Sequence, residues 1–392
     1  MPLYGKIIPP LIAIWVILWL INGSVKDKII NLRKSPVFFI LVFFYLLHII
    51  GMSYTENFSV GLFDLEVKFS ILLLPILVFS NKDFFDKYRN VILSAFLSGN
   101  VIAALISIGV GYSRTLKYNI NYLHYQEFSL FHHPSYSSMY ALFSICIVIF
   151  FLFNKNQNNN LPSIFRLSFP VYYKLRAISL FVILCAFIYF LSSRTGIIAA
   201  ILVIGFLIVY YIFKKKKWLF FLPLLIVFIP LSYLIIKNNP RFTPVIAFIN
   251  TPLDSIKMDA TENTMVRYNI ACQSIELIKQ NFFLGAGTGD VKESLKKRYQ
   301  EKNIIKALHP LINAHNQFLE TFIGLGIAGI LSLLSMIFYP LYNGMKNGNV
   351  LLVAFSLTII VNFMFESMLN TQAGIVFFAF FHSLLMCSDD GS

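Results

Sequence analysis

Apolar positions along the chain gather into eleven runs, near residues 7–22, 36–53, 67–80, 90–111, 134–153, 177–191, 196–213, 218–236, 317–340, 350–366 and 371–387. A backbone in hydrocarbon must satisfy its own hydrogen bonds, so only helices or a closed barrel can cross it. The runs are roughly 15–22 residues long and none shows the period-two alternation of a barrel strand, so the pattern predicts about eleven membrane helices. The third run is short, and its helix could start earlier. The fold class is all-α, a polytopic integral membrane protein. One long polar interruption divides the chain into an N-terminal helix bundle (1–236), a large loop (237–314) and a C-terminal group of helices (315–392).

The large loop has structure of its own. Asn263 to Asn281 reads as an amphipathic helix with Val266, Ile270, Ile275 and Ile278 roughly on one side. Gly285, Gly287 and Gly289 break it. Asp290, with Glu293 three residues on, has the spacing of a capping box for a second, basic helix through Gln300. The glycines are not a dinucleotide fingerprint, because no parallel βαβ unit surrounds them.

Composition agrees with the pattern. Hydrophobic residues make up 57% and charged residues 13%, against about half and a quarter in soluble domains. The 41 phenylalanines suit lipid-facing helices. The first run, Ile7 to Ile21, is preceded by one lysine and followed by no small-residue cleavage site, so it reads as a membrane helix rather than a signal peptide.

The net charge of +14 would suggest nucleic acid in a soluble protein. Here the basic residues cluster between helices: Lys26, Lys28, Arg33 and Lys34; Lys82, Lys87 and Arg89; Lys155, Arg166, Lys174 and Arg176; and Lys214 to Lys217. The stretch 54–66 carries Glu56, Asp64 and Glu66 and no Lys or Arg. That asymmetry is the positive-inside signature, which puts the basic loops in the cytoplasm and the large loop outside. The C-terminus then falls inside and the N-terminus outside. The partner this charge implies is the membrane lipid, not nucleic acid. Cys146, Cys185 and Cys387 lie in apolar runs and Cys272 is alone in the large loop, so neither disulfides nor a metal spacing is indicated.

Several residues could carry chemistry. Arg194, in Ser192-Ser193-Arg194-Thr195-Gly196, falls between two apolar runs at the external face. An arginine there pairs with an anion or snorkels to the interface. Arg267 lies on the loop helix, where a solvated surface role is the alternative. His315 ends the loop and opens a membrane helix, and the histidine titration range suits a general base; a structural interfacial role is the alternative. The small residues from Gly324 to Gly329 look like a helix-packing face. His132 and His133 precede Pro134, with Tyr112, Tyr118, Tyr122, Tyr125 and Tyr136 nearby. Tyrosines favour the membrane interface, and their faces can also stack on sugar rings. No Walker A loop, His-Glu-x-x-His, Gly-x-Ser-x-Gly or Asp-x-Asp occurs, which argues against a nucleotide site or a divalent metal.

Ser-Ser-Arg-Thr-Gly at 192–196, Val-Arg-Tyr-Asn-Ile-Ala at 266–271, Leu-Gly-Ala-Gly-Thr-Gly-Asp at 284–290 and Asn-Ala-His-Asn-Gln-Phe-Leu-Glu at 313–320 together resemble the O-antigen ligase and polymerase superfamily. The order of helices, large loop and further helices is similar too. The resemblance implies a metal-independent, inverting transferase without cofactors, in the bacterial inner membrane, with its site facing the periplasm. It implies an undecaprenyl-diphosphate-linked glycan donor and a lipid A–core or glycan acceptor. Motif by motif, Arg194 and Arg267 would hold the diphosphate and His315 would activate the acceptor hydroxyl; His132, His133 and Tyr136 are candidates for contacting glycan. The chain departs from the pattern at its start, where members commonly have a twelfth helix and a cytoplasmic N-terminus. O-antigen ligation is the leading expectation, with repeat-unit polymerisation or protein O-glycosylation as alternatives on the same chemistry. A lipid-linked glycan transporter is the alternative of a different class, and it expects charges and breaks inside several helices.

Overall fold

The computed structural model describes residues 1–153, 170–217, 219 and 221–387. The chain opens with α1 (Ile8–Ile21), α2 (Val25–Arg33), α3 (Pro36–Gly51), α4 (Phe58–Phe79) and α5 (Lys82–Tyr118). A single turn, α6 (Tyr125–Phe128), leads to α7 (Pro134–Phe153), α8 (Pro170–Leu191), α9 (Arg194–Lys214) and α10 (Phe221–Asn238). The polar segment holds α11 (Thr243–Ile249), α12 (Asn263–Gln280), α13 (Val291–Glu301) and α14 (Ile305–Leu308). The last helices are α15 (Gln317–Lys346), α16 (Val350–Phe365) and α17 (Gln372–Cys387). No strand occurs among the described residues.

The chain is an all-α, multi-pass membrane protein. Every one of the eleven apolar runs is helical where described, but eleven spans are not confirmed. Among the described residues seven helices are long and apolar enough to cross a membrane, and the segments Gly5–Ile21 and Val25–Arg33, which meet at 112°, make an eighth if they are one broken span. The helices α16 and α17 have 16 residues each, short of the roughly 20 that span a bilayer.

Helix ends run further than the hydropathy pattern implied. Lys82, Lys87 and Arg89 ride on the first turns of α5, not in a loop, and only Ser80 and Asn81 separate α4 from α5. Asp64 and Glu66 lie on α4, and Lys174 and Arg176 on α8. Apolarity reports the part of a helix in hydrocarbon, whereas the helix itself continues through the interface where charge is solvated. Lys155 and Arg166 lie outside the described residues, as does Trp218, the expected start of the eighth helix.

The core centres on α7, α16 and α17, whose side chains are mostly buried. Its filling is aromatic: Phe96 and Phe381 lie 4.6 Å apart between ring centroids, Tyr140 and Phe377 4.9 Å, and Phe143 and Phe381 5.0 Å. Phenylalanine therefore packs helix against helix as well as facing outward. Each such pair adds about 0.5–1.5 kcal/mol beyond the area it buries. The helix α10, by contrast, has no buried residue.

A second, smaller core joins α12, α13 and the start of α15 through Val266, Ile270, Leu277, Leu295, Tyr299 and Ile323. Ile275 is exposed, contrary to the expected stripe. It lies nine residues past Val266, about half a turn round the helix, and Leu277 occupies the buried face instead. Asp290 precedes α13 but its side chain caps nothing. Its carboxylate accepts from the backbone N–H groups of Glu56 (2.7 Å) and Asn57 (2.8 Å), fastening the polar segment to the start of α4.

The glycines form a junction rather than a helix-packing face. Ala286 N–H donates to the Ile323 carbonyl (2.7 Å), Gly287 N–H to that of Gly324 (3.0 Å), and Ile327 N–H to that of Phe282 (2.9 Å). The helix α15 breaks at Gly326, at φ 60° and ψ −153°. A Cβ there would stand 2.2 Å from the Phe283 carbonyl oxygen, so only glycine lets these two backbones meet.

Candidate active site

The helices α7, α9 and α15 begin, and α16 ends, at the end of the bundle that carries the polar segment. Capping fixes these starts. Ser193 Oγ accepts from Gly196 N–H (3.2 Å), which places Arg194 at the first helical position of α9. Glu262 caps α12 by accepting from the N–H groups of Thr264 (2.7 Å) and Met265 (3.1 Å). Asn316 caps α15 by accepting from Leu319 N–H (3.1 Å) and leaves His315 just outside the helix. There His315 takes φ 47°, and its N–H donates to Asn313 Oδ1 (3.1 Å). Each cap satisfies helix N–H groups that would otherwise be unpaired.

Tertiary packing then gathers the side chains. Arg194 Nε donates to the Arg241 carbonyl, and Nη1 to Thr264 Oγ1 (2.9 Å); Nη2 lies 3.9 Å from Glu262. Arg267 Nη1 donates to the Phe365 carbonyl (3.3 Å), and Nη2 lies 3.9 Å from Glu366 Oε1. His315 Nδ1 stands 3.5 Å from Glu366 Oε2, within ion-pair range but without an aligned hydrogen bond. Ser135 Oγ donates to Glu366 Oε1 (2.9 Å). The Arg241 guanidinium stacks 3.6 Å from the centroid of Tyr125, and its buried Nε has no hydrogen-bond partner. Arg241 and Arg267 both lie close enough to act electrostatically on Arg194.

The cluster controls its own protonation. Burial pushes the Glu366 carboxyl up, but His315, Arg267 and Ser135 outweigh it and hold the group below the usual glutamate range, so it is a carboxylate at neutral pH. Burial pulls His133 below the usual histidine value; Arg267, His315 and Arg241 add to the effect and Glu366 opposes it. His133 is therefore neutral at pH 7.

Of the residues singled out in the sequence, Arg194, Arg267, His315 and His133 meet here. His132 points elsewhere: its Nε2 donates to the Met1 carbonyl (2.9 Å) and its ring packs edge-on to Tyr140. Tyr136 lies at the margin, its hydroxyl accepting from Thr371 Oγ1 (2.8 Å) five residues beyond Glu366. Glu366, Arg241, Glu262, Thr264 and Ser135 were not anticipated. Glu366 did carry a signal, as a carboxylate closing the apolar run 350–366.

The arrangement suits one kind of chemistry. Three guanidiniums can hold a doubly charged anion, and a histidine backed by a carboxylate can take a proton beside it. Residues 179–334 match a family model described as O-antigen ligase. Over that segment the chain is similar to the O-antigen ligase superfamily. The matched segment, less than half of the chain, contains Arg194, Arg241, Arg267 and His315; His133 and Glu366 lie outside it. No curated protein matches the chain. The family supports glycan transfer of the ligase or polymerase type by a glycosyltransferase-like enzyme, which implies a lipid-linked donor and an acceptor.

Proposed function

We propose that this protein transfers a glycan from an undecaprenyl-diphosphate carrier to an acceptor sugar hydroxyl, as the ligase that joins O-antigen to lipid A–core. The observation that carries the reading is the convergence of Arg194, Arg241 and Arg267 with the His315–Glu366 pair at one end of the bundle. Positive-inside placement of the basic helix ends supports a periplasmic position for that end, and the likeness to O-antigen ligases supports the bacterial inner membrane.

Each residue has a step. The guanidiniums bind the donor diphosphate and take up the negative charge that grows on it as the anomeric carbon–oxygen bond breaks. That task commonly falls to Mg²⁺, and here positioned arginines perform it without a metal. The acceptor hydroxyl attacks the anomeric carbon from the opposite face, which inverts the centre. Its proton passes to His315 Nε2, the bonding pair leaves with undecaprenyl diphosphate, and Glu366 at Nδ1 steadies the imidazolium. Loose apo geometry at Nδ1 is ordinary for a pair that tightens around substrate.

Lipopolysaccharide from a deletion strain tests the proposal. Loss of all long O-antigen with carrier-linked polymer retained is expected. Core bearing a single repeat unit would make the protein a polymerase instead, and unchanged banding would overturn both. Purified protein should also transfer glycan in excess EDTA; activity lost to chelator and restored by Mg²⁺ would refute the arginine clamp.

A further inference from the structure

A second polar network lies behind the cluster. Glu320, in the first turn of α15, is buried. Its Oε2 accepts from Ala314 N–H (3.0 Å) and from Ser367 Oγ (3.4 Å), and its Oε1 from Asn370 Nδ2 (2.9 Å). Ala314 immediately precedes His315, and Ser367 immediately follows Glu366. One carboxylate thus holds a neighbour of each member of the pair. Asn370 Oδ1 in turn accepts from Lys68 Nζ (3.3 Å), and Lys68 pairs with Asp64 one turn back on α4. The amide dipole of Asn370 is aligned by charge, its oxygen toward the ammonium and its NH₂ toward the carboxylate. The neighbouring Gln317 adds a parallel tie, its Oε1 accepting from Leu369 N–H (2.8 Å).

Among the described residues no backbone–backbone hydrogen bond joins 313–316 to 366–371. Side chains at the start of α15 make the connection. We infer that Glu320 is a positioning residue: it fixes the separation of His315 and Glu366 by tying the loop before α15 to the loop after α16. The role in turnover rests on the glycan-transfer reading, whereas the tie itself does not. Buried charge within helices also fits a transport route, and a polar cleft lined by Asp64, Lys68, Lys292 and Glu320 lies alongside. None of the buried polar atoms lacking a partner belongs to that cleft's lining, which favours an internal strut.

The strut acts on turnover and not on donor capture. None of Arg194, Arg241 and Arg267 bonds Glu320; Arg267 reaches Glu366 but is anchored on the Phe365 carbonyl at the end of α16, and Arg194 and Arg241 touch neither loop. Misplacing a catalytic group by about 1 Å costs on the order of a hundredfold in rate. In purified full-length protein, Glu320→Ala should lower kcat about a hundredfold and leave the donor KM within about threefold. Glu320→Gln keeps a carbonyl oxygen for Ala314 and Ser367 but sets its NH₂ against that of Asn370, so its rate should fall between those of Glu320→Ala and the wild type. Hydrogen exchange should rise in 313–316 and 366–371 but not in α12. Should Glu320→Ala fail to fold, the Ser367→Ala/Asn370→Ala double variant carries the test, with the same split between kcat and KM. Wild-type kcat in the variant that folds, unchanged exchange in both loops, or a loss confined to donor KM would each overturn the inference. If the wild-type protein transfers nothing, the glycan-transfer reading fails, and exchange alone decides the tie.

Discussion

Glu366→Gln removes one charge and almost no volume, and it isolates what the carboxylate does for His315. The substituted side chain can still accept from Ser135 through its oxygen. Its amide nitrogen would then face Nδ1 and donate to it, forcing the proton onto Nε2, where a general base must be empty. Electrostatics acts in the same direction. Opposite charges at the observed 3.5 Å attract by about 4–5 kcal/mol at an effective dielectric of about 20. The His315 side chain is 28% exposed, so solvent screens part of that. Half of it, about 2 kcal/mol, corresponds to roughly thirtyfold in rate. A wrong tautomer can cost on the order of ten-thousandfold in the analogous aspartate-to-asparagine change of a serine protease. We therefore expect kcat to fall between about thirtyfold and ten-thousandfold. The assay is transfer under saturating donor and acceptor with purified protein, with donor binding measured separately. Donor binding should hold, because three arginines remain. A kcat within about threefold of wild type, with protein level and donor binding intact, would refute the pairing of His315 with Glu366.

Arg194→Lys keeps charge but loses the planar fork, so transfer should drop roughly a hundred- to a thousandfold; near-normal transfer by Arg194→Ala at matched expression would remove this residue from the site. Arg241→Ala should weaken donor binding about ten- to a hundredfold, the worth of a charge-assisted hydrogen bond, and an unchanged donor Kd would show that its guanidinium serves only Tyr125. His124, His132 and His133 are each held below the ordinary histidine value, chiefly by burial. The unfolded chain therefore binds protons before the folded one as pH falls below about 6.5, so folded stability drops with acid. The thermal midpoint should be lower at pH 5.5 than at pH 7.5, and a flat profile would contradict the burial of these rings. Gly326→Ala should destabilise by about 1–3 kcal/mol, since φ 60° and the nearby Phe283 carbonyl both oppose a Cβ; an unshifted midpoint would show that the junction can relax.

The helical class was legible in the chain, because apolar run length is a local property that the bilayer reads directly. Helix starts were less legible: the cap expected at Asp290 does not form, and the caps at Ser193 and Asn316 came from the structure. Arg194 and His315 stand out because each is polar where an apolar run begins. Tertiary structure alone decided their partners. Arg267 and His315 meet Glu366 because α12, α15 and α16 end at one level of the bundle, and no local pattern records which helix ends coincide. Arg241 was hidden by an unremarkable setting and acquires meaning only from the ring of Tyr125, more than a hundred residues earlier. His132 and His133 show the division at its finest. They are adjacent in sequence and equally polar, yet one turns to the Met1 carbonyl and the other enters the charge cluster. Composition cannot separate them, because the difference lies in which packed neighbour each backbone position faces.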